Sequence, residues 1–162
     1  MKRIFFALTV MTAFLTGCSQ KGTLASVEEP SYYRNPTYFI EKYGMYDMIP
    51  IEPGDIVMVG DDYIDRGLWT EFFPLKNIKN RGITFDASEH VLYRIDKIAQ
   101  GKPSKIFVSV GYNDIEKGFD LDSVAMRIGQ VFERANTISP KTKLYYISVV
   151  AVREEIVPEV EE

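Results

Sequence analysis

The chain has 162 residues, 46% of them hydrophobic and 26% charged, which fits one globular domain and excludes a disordered chain. Its formal charge is −4; setting aside Lys2 and Arg3 takes the basic count from 19 to 17 against 23 acidic residues, a formal −6. Scattered basic residues on an acidic chain exclude nucleic acid, or an anionic membrane surface, as the main partner, because phosphate binding needs clustered Lys and Arg.

Lys2 and Arg3 precede an apolar run from Ile4 to Leu15, too short to span a bilayer stably and typical of a secretory signal. It leads into Leu15-Thr16-Gly17-Cys18, which resembles the bacterial lipobox. That resemblance implies that residues 1–17 are a lipoprotein signal peptide and that lipid on Cys18 anchors the mature chain to a membrane of the cell envelope. The alternative is an ordinary export signal with an incidental cysteine. Cys18 is the only cysteine, so no disulfide forms within the chain. Residues 18–31 are expected as a flexible tether, polar and small from Ser19 to Pro30, and residues 32–162 as the folded domain.

The stretch from Tyr32 to Met48 is rich in Tyr, Phe and Met, with Asn35-Pro36 able to start a helix and Pro50 and Pro53 to end it. Its aromatic face is expected to pack on the domain rather than to serve as a carbohydrate-stacking platform. After a Pro53-Gly54 turn, Asp55 to Gly60 forms a continuous apolar run of the kind found in parallel strands covered on both faces. A short helix from about Gly67 to Phe73, ended by Pro74, and a brief strand from Asn77 to Arg81 come next. Ser88 is expected to cap a helix reaching about Gln100, where Gly101 and Pro103 supply the stop. Val91, Leu92, Ile95, Ile98 and Ala99 keep helical spacing along it. Lys105 to Val110 repeats the buried-strand pattern, Asp120 or Asp122 opens a helix to about Thr137, and Leu144 to Val152 is a fourth apolar strand. Such alternation predicts an α/β fold, a three-layer, doubly wound parallel sheet. Its functional crevice lies beyond the carboxyl ends of the strands.

Three short blocks sit at those ends: Gly60-Asp61-Asp62, Asn80-Arg81-Gly82-Ile83 and Gly111-Tyr112-Asn113-Asp114. In order and spacing they resemble the SGNH, or GDSL-like, hydrolase family, over about Pro53 to Val152. The resemblance implies a flavodoxin-like acyl-ester hydrolase without a cofactor. A serine in the first block would be the nucleophile, a glycine N–H of the second and an asparagine of the third the oxyanion donors, and a terminal Asp-x-x-His block the base and its orienting acid. Asn113 matches the pattern. The nucleophile position is Asp62, the donor glycine aligns with Phe85, and no terminal Asp-x-x-His block follows the fourth strand. The fold is therefore expected to lack its last strand and helix.

His90 is the only histidine. It lies two residues from Ser88, so the two point apart on a helix and make no nucleophile and base pair; His90 reads as a surface or packing residue. Asp61, Asp62 and Asp65 read as a solvated loop with helix-start charge, with no histidine beside them to suggest a metal site. The order of Gly60-Asp61-Asp62-Tyr63-Ile64-Asp65 and Asp120-Leu121-Asp122-Ser123-Val124 reverses that of haloacid-dehalogenase-like phosphatases, and Asp120 and Asp122 are better explained as helix-start residues. The expectation is a lipid-anchored SGNH-type domain without esterase chemistry that binds a polysaccharide or a partner protein. The alternative is an active carbohydrate O-acetylesterase whose base comes from a partner chain.

Overall fold

The computed structural model describes residues 24–30, 33–74 and 76–149. The signal and lipidation site expected at residues 1–18 lie outside the described residues. Residues 24–30 carry no helix or strand, yet Pro30 is already buried. Packing against the domain thus begins slightly before Tyr32.

Four parallel strands form the sheet: β1 (Ile56–Gly60), β2 (Ile78–Gly82), β3 (Lys105–Ser109) and β4 (Lys143–Tyr146), in the order β2-β1-β3-β4. The first connection runs one way and the next two the other, and right-handed crossovers then put the connecting helices on opposite faces. On one face lie α4 (Ser88–Gln100) and α6 (Leu121–Ile138), packed against each other. On the other, α2 (Asp62–Asp65) and α3 (Trp69–Phe72) lie against β1 and β2. This is the doubly wound, three-layer architecture that the apolar strands imply.

Register explains the core. Val57 and Val59 pair with Ile106 and Val108, and all four are fully buried under Val91, Ile95 and Ile98 of α4 and Val131 and Ala135 of α6. The apolar positions of α4 recur at helical spacing, so one face enters this core while the other stays wet. On the opposite sheet face Met58, Phe107 and Tyr145 share a register row, with the Phe107 and Tyr145 rings stacked at 4.7 Å.

Several boundaries differ from those read from the sequence. The helix expected from about Gly67 to Phe73 is present as α3, and a separate turn, α2, precedes it, capped where Asp61 accepts the Tyr63 N–H at 3.2 Å. The fourth strand stops at Tyr146, although the Ile147 N–H still donates to the Val108 carbonyl at 2.8 Å; residues 150–152 lie outside the described residues. A further short helix, α5 (Tyr112–Glu116), follows β3 directly. Ser88 is not the cap of α4. Ala87 holds that position with extended backbone, and the Asp114 carboxylate accepts both the Ser88 N–H (2.8 Å) and the Ser88 hydroxyl (2.6 Å). A carboxylate at a helix start meets unpaired N–H groups and the positive end of the dipole, and outcompetes a neutral hydroxyl.

Helix α1 (Pro36–Asp47) starts where Asn35 accepts the Tyr38 N–H at 3.1 Å, with Pro36 at its first position. Its aromatic side chains pack inward, Phe39 buried and Tyr43 against Tyr93 at 6.2 Å. Asp65 clamps it in place. That carboxylate accepts Tyr38 Oη (2.5 Å), Lys42 Nζ (2.7 Å), the Thr84 N–H (3.0 Å) and the Thr84 hydroxyl (2.7 Å), so one side chain joins α1, α2 and the loop after β2. Burial alone would raise the Asp65 carboxyl, but the hydrogen bonds from Lys42, Tyr38 and Thr84 outweigh it and hold it below the usual carboxylate range. Stability from such a group is present above the unfolded-chain value near pH 4 and lost as pH falls through the folded value. Asp65→Asn is expected to cost about 2 kcal/mol in urea unfolding at pH 7, and the gap to wild type should close below about pH 4.

Candidate functional site

The site forms where β1, β2 and β3 end. Gly60 and Gly82 bring the backbones there close together. A Cβ on Gly60 would stand 1.8 Å from the Ser109 carbonyl oxygen, and one on Gly82 would stand 2.2 Å from the Asp65 nitrogen. No side chain fits either gap, so α2 rests directly on β2. Asn80 completes the joint: its Nδ2 donates to the carbonyls of Ile64 (2.9 Å) and Asp65 (3.0 Å), and its Oδ1 accepts the Gly82 N–H (2.8 Å). Asn80 thus closes the end of α2 and stays out of the chemistry.

Asp62, Phe85 and Asn113 meet at the floor of the resulting crevice. One Asp62 carboxylate oxygen accepts both the Phe85 N–H at 2.9 Å and Asn113 Nδ2 at 3.1 Å. Asn113 is itself buried and steered by a second bond, Nδ2 to the Asp86 carbonyl at 2.9 Å. Phe85 has φ +72°, a left-handed conformation that costs a bulky residue on the order of 1–2 kcal/mol and glycine nothing. The backbone there therefore has a shape that glycine takes more readily, with a phenylalanine fitted to it. The other Asp62 oxygen meets Arg66 at 3.4 Å, and that arginine is mostly exposed, so the pair adds little.

Around this floor the crevice encloses about 470 Å³. Tyr63 and Tyr112 stand edge to face at 6.0 Å on its rim, Tyr63 62% exposed. Arg34 lies over the Phe85 ring at 4.6 Å and pairs with Glu116 at 2.8 Å. Sequence reasoning missed this rim, since Arg34, Tyr63 and Arg66 come from turns whose packing no periodicity reveals.

Ser88 and His90 do not line the crevice. Both are buried; Ser88 is tied to Asp114, while His90 Nδ1 accepts the Ala87 N–H at 2.8 Å and its ring packs on Tyr33 and Phe39. Of the two roles read for His90 it has the packing one. Asp120 caps α6 by accepting the Ser123 N–H at 2.9 Å, a helix-start role rather than a nucleophile's. Among the described residues no helix is long and apolar enough to cross a membrane, and no group of three or more His, Cys, Asp or Glu is placed to hold a metal ion.

Of Asp61, Asp62 and Asp65, two depart from the solvated loop expected for them. Asp65 is clamped to α1, and Asp61 is 1% exposed. Burial pushes the Asp61 carboxyl up to about 6, against the pull of the Tyr63 N–H and with the push of the neighbouring Asp62. Below them Arg94 forms a buried pair with Asp86, Nη2 to Oδ2 at 2.7 Å, and also donates to the carbonyls of Arg81 (2.6 Å) and Gly60 (3.1 Å). That network fixes the loop that carries Phe85.

The comparisons with known proteins accord with this geometry. No protein-family model matches the sequence. Over 101 residues, 59% of this chain and 43% of the relative, it is 30% identical to platelet-activating factor acetylhydrolase IB subunit alpha2 of Rattus norvegicus and of Homo sapiens. The fold is similar to that of a solved Streptococcus pneumonia protein described as a platelet activating factor (TM-score 0.64, 24% identity, 74% of this chain and 56% of that one). It is also similar to a GDSL-like lipase from Bacteroides thetaiotaomicron (TM-score 0.54, 19% identity, 67% and 56%). In sequence over those residues, and in fold, the chain is thus similar to acylhydrolases of the SGNH, or GDSL-like, type. It spans less than half the length of the curated relatives it matches and a little over half of these solved ones.

Asp61 carries a prediction. A carboxyl whose folded value is raised penalises the fold above that value, and the penalty is relieved as pH falls through about 6 towards 4. Asp61→Asn keeps the oxygen that accepts from Tyr63 and removes the charge. It is expected to be more stable than wild type by about 2–3 kcal/mol at pH 8, with the difference shrinking between about pH 6 and pH 4 in a denaturation series.

Proposed function

We propose that this chain is an exported, lipid-anchored protein of SGNH-hydrolase type that binds a ligand in its crevice and does not hydrolyse esters by the serine route. One observation carries the reading: the Asp62 carboxylate sits on the Phe85 N–H and Asn113 Nδ2, the two donors aligned with the family's oxyanion donors. Acyl transfer needs those donors free for charge that develops on the substrate. A carboxylate already placed there satisfies them and repels a second negative charge. No serine stands at the head of α2, and His90 is buried away from the crevice.

A carboxylate nucleophile would meet a chemical obstacle as well. Attack of Asp62 on an ordinary ester would give an anhydride, and a base would still be needed to activate water for its release. Among the described residues that line the crevice the other acid is Glu116, which is paired with Arg34. Binding is the function the arrangement supports best. Two exposed tyrosines on the rim of a polar crevice suit a sugar ring, whose C–H face stacks on aromatic surface while its hydroxyls meet charged groups. A glycan of the cell envelope is accordingly the ligand class favoured. Anchoring through Cys18 would keep the domain within reach of such a ligand.

Purified protein is expected to give no turnover of p-nitrophenyl acetate or butyrate above background, and Asp62→Ala and Asp62→Ser are expected to give none either. Wild-type turnover that vanishes in Asp62→Ala would overturn this reading. Wild-type turnover that appears only on adding a second protein would establish an esterase completed by a partner chain.

A further inference from the structure

A second cavity of about 210 Å³ lies between the carboxyl-terminal halves of α1 and α4 and the segment that joins α1 to β1. It shares no lining residue with the crevice. Its walls are largely apolar, from Tyr43, Tyr46, Ile49, Pro50 and Ile98, yet three cations face it. Two are neutralised. Lys97 pairs with Asp47 at the rim, and Arg94 pairs with Asp86 at 2.7 Å.

The third cation is Arg81, 4% exposed. Its Nη1 donates to the Asn80 carbonyl at 2.8 Å and its Nη2 to the Ile49 carbonyl, and its guanidinium lies 4.7 Å over the Tyr46 ring. Among the described residues no carboxylate stands within 4.0 Å of it. Two carbonyls and a ring face ease the burial of this charge without cancelling it, and a guanidinium has more N–H donors than these two bonds use. A charge that is buried, held rigid and lacking a counterion, at the wall of an apolar cavity, is complementary to an anion carrying an apolar body. Guanidinium favours the planar, two-oxygen geometry of a carboxylate. A cavity of this volume is below the size of most drug-sized sites and admits a single ring or a short branched chain.

We propose that the cavity between α1 and α4 is a second ligand site, which takes a small monocarboxylate with an aromatic or branched aliphatic body and holds its carboxylate on Arg81. The proposal is independent of what the crevice does. The Tyr46 hydroxyl donates to the Gly82 carbonyl, so Arg81 and Tyr46 hold α1 on β2 whether or not the cavity is filled. A bound acid would tighten that joint by cancelling the unpaired charge.

The test is a ¹H–¹⁵N NMR titration of the purified protein with benzoate, isovalerate and acetate, and with benzamide as the neutral counterpart of benzoate. Expected are saturable shifts of the Arg81 Nε–H and of the Tyr46 and Gly101 amides with benzoate or isovalerate, binding at least tenfold weaker for benzamide and acetate, and unmoved Tyr63 and Tyr112 amides. Benzamide binding as tightly as benzoate would overturn the proposal, as would acetate matching both larger acids. So would shifts confined to the crevice, or none with any acid. Arg81→Gln, if it retains the wild-type spectrum outside the cavity, is expected to lose benzoate binding by tenfold or more. Should that variant fail to fold, the comparison of benzoate with benzamide on wild type still decides.

Discussion

The contact between α2 and β2 sets everything at the carboxyl end of the sheet. With hydrogen in place of a side chain at Gly82, the Asp65 backbone can lie where a Cβ would otherwise intrude, and Asn80 locks the joint by bonding the last carbonyls of the helix. A single turn of helix held this firmly aims three carboxylates in three directions. Asp61 turns inward to cap its own helix, Asp62 reaches across to Phe85 and Asn113, and Asp65 grips α1. Loosening the joint would disturb all three together, because each depends on the same few backbone positions.

The crevice that results lies beyond the carboxyl ends of the strands, and its floor differs from an oxyanion hole. In an oxyanion hole, preorganised donors wait for charge that develops only during reaction. Here the Phe85 N–H and Asn113 Nδ2 are already taken up by the Asp62 side chain. Under the proposed reading, Asp62 in place of a serine does two things: it leaves no hydroxyl there and it occupies the donor pair. Phe85 takes a backbone shape that glycine adopts more readily, with φ +72°, while its ring lies under Arg34. The scaffold persists because it rests on buried packing, on the Arg94 and Asp86 pair, and on the Asp114 cap of α4. None of these depends on the identity of the nucleophile.

Much of the fold was legible because it rests on local patterns. Apolar runs at β1 and β3, the helical spacing from Val91 to Ala99, and the Asn35-Pro36 start of α1 are each signalled within a few residues. The three blocks named from the sequence also lie together in space, and Asp62, Phe85 and Asn113 touch. What stayed hidden is long-range. Ser88 looks like a helix cap until Asp114, 26 residues away, takes its N–H. Asp65 looks like loop charge until Lys42 and Tyr38 arrive from a helix more than twenty residues earlier. That Arg81 has no carboxylate beside it among the described residues cannot be recognised in a sequence at all, because the observation is made in three dimensions.

The central claim is that the Asp62 carboxylate occupies the donor pair in the resting protein. It is tested most directly by following the Phe85 backbone N–H and the Asn113 side-chain NH₂ by NMR while acetate is added to wild type and to Asp62→Ala. The account predicts that wild type does not respond at these two groups and that Asp62→Ala shows saturable shifts at both, as the added carboxylate enters the vacated position. Equal response in the two proteins would mean that the donors are open in wild type, and would contradict the account.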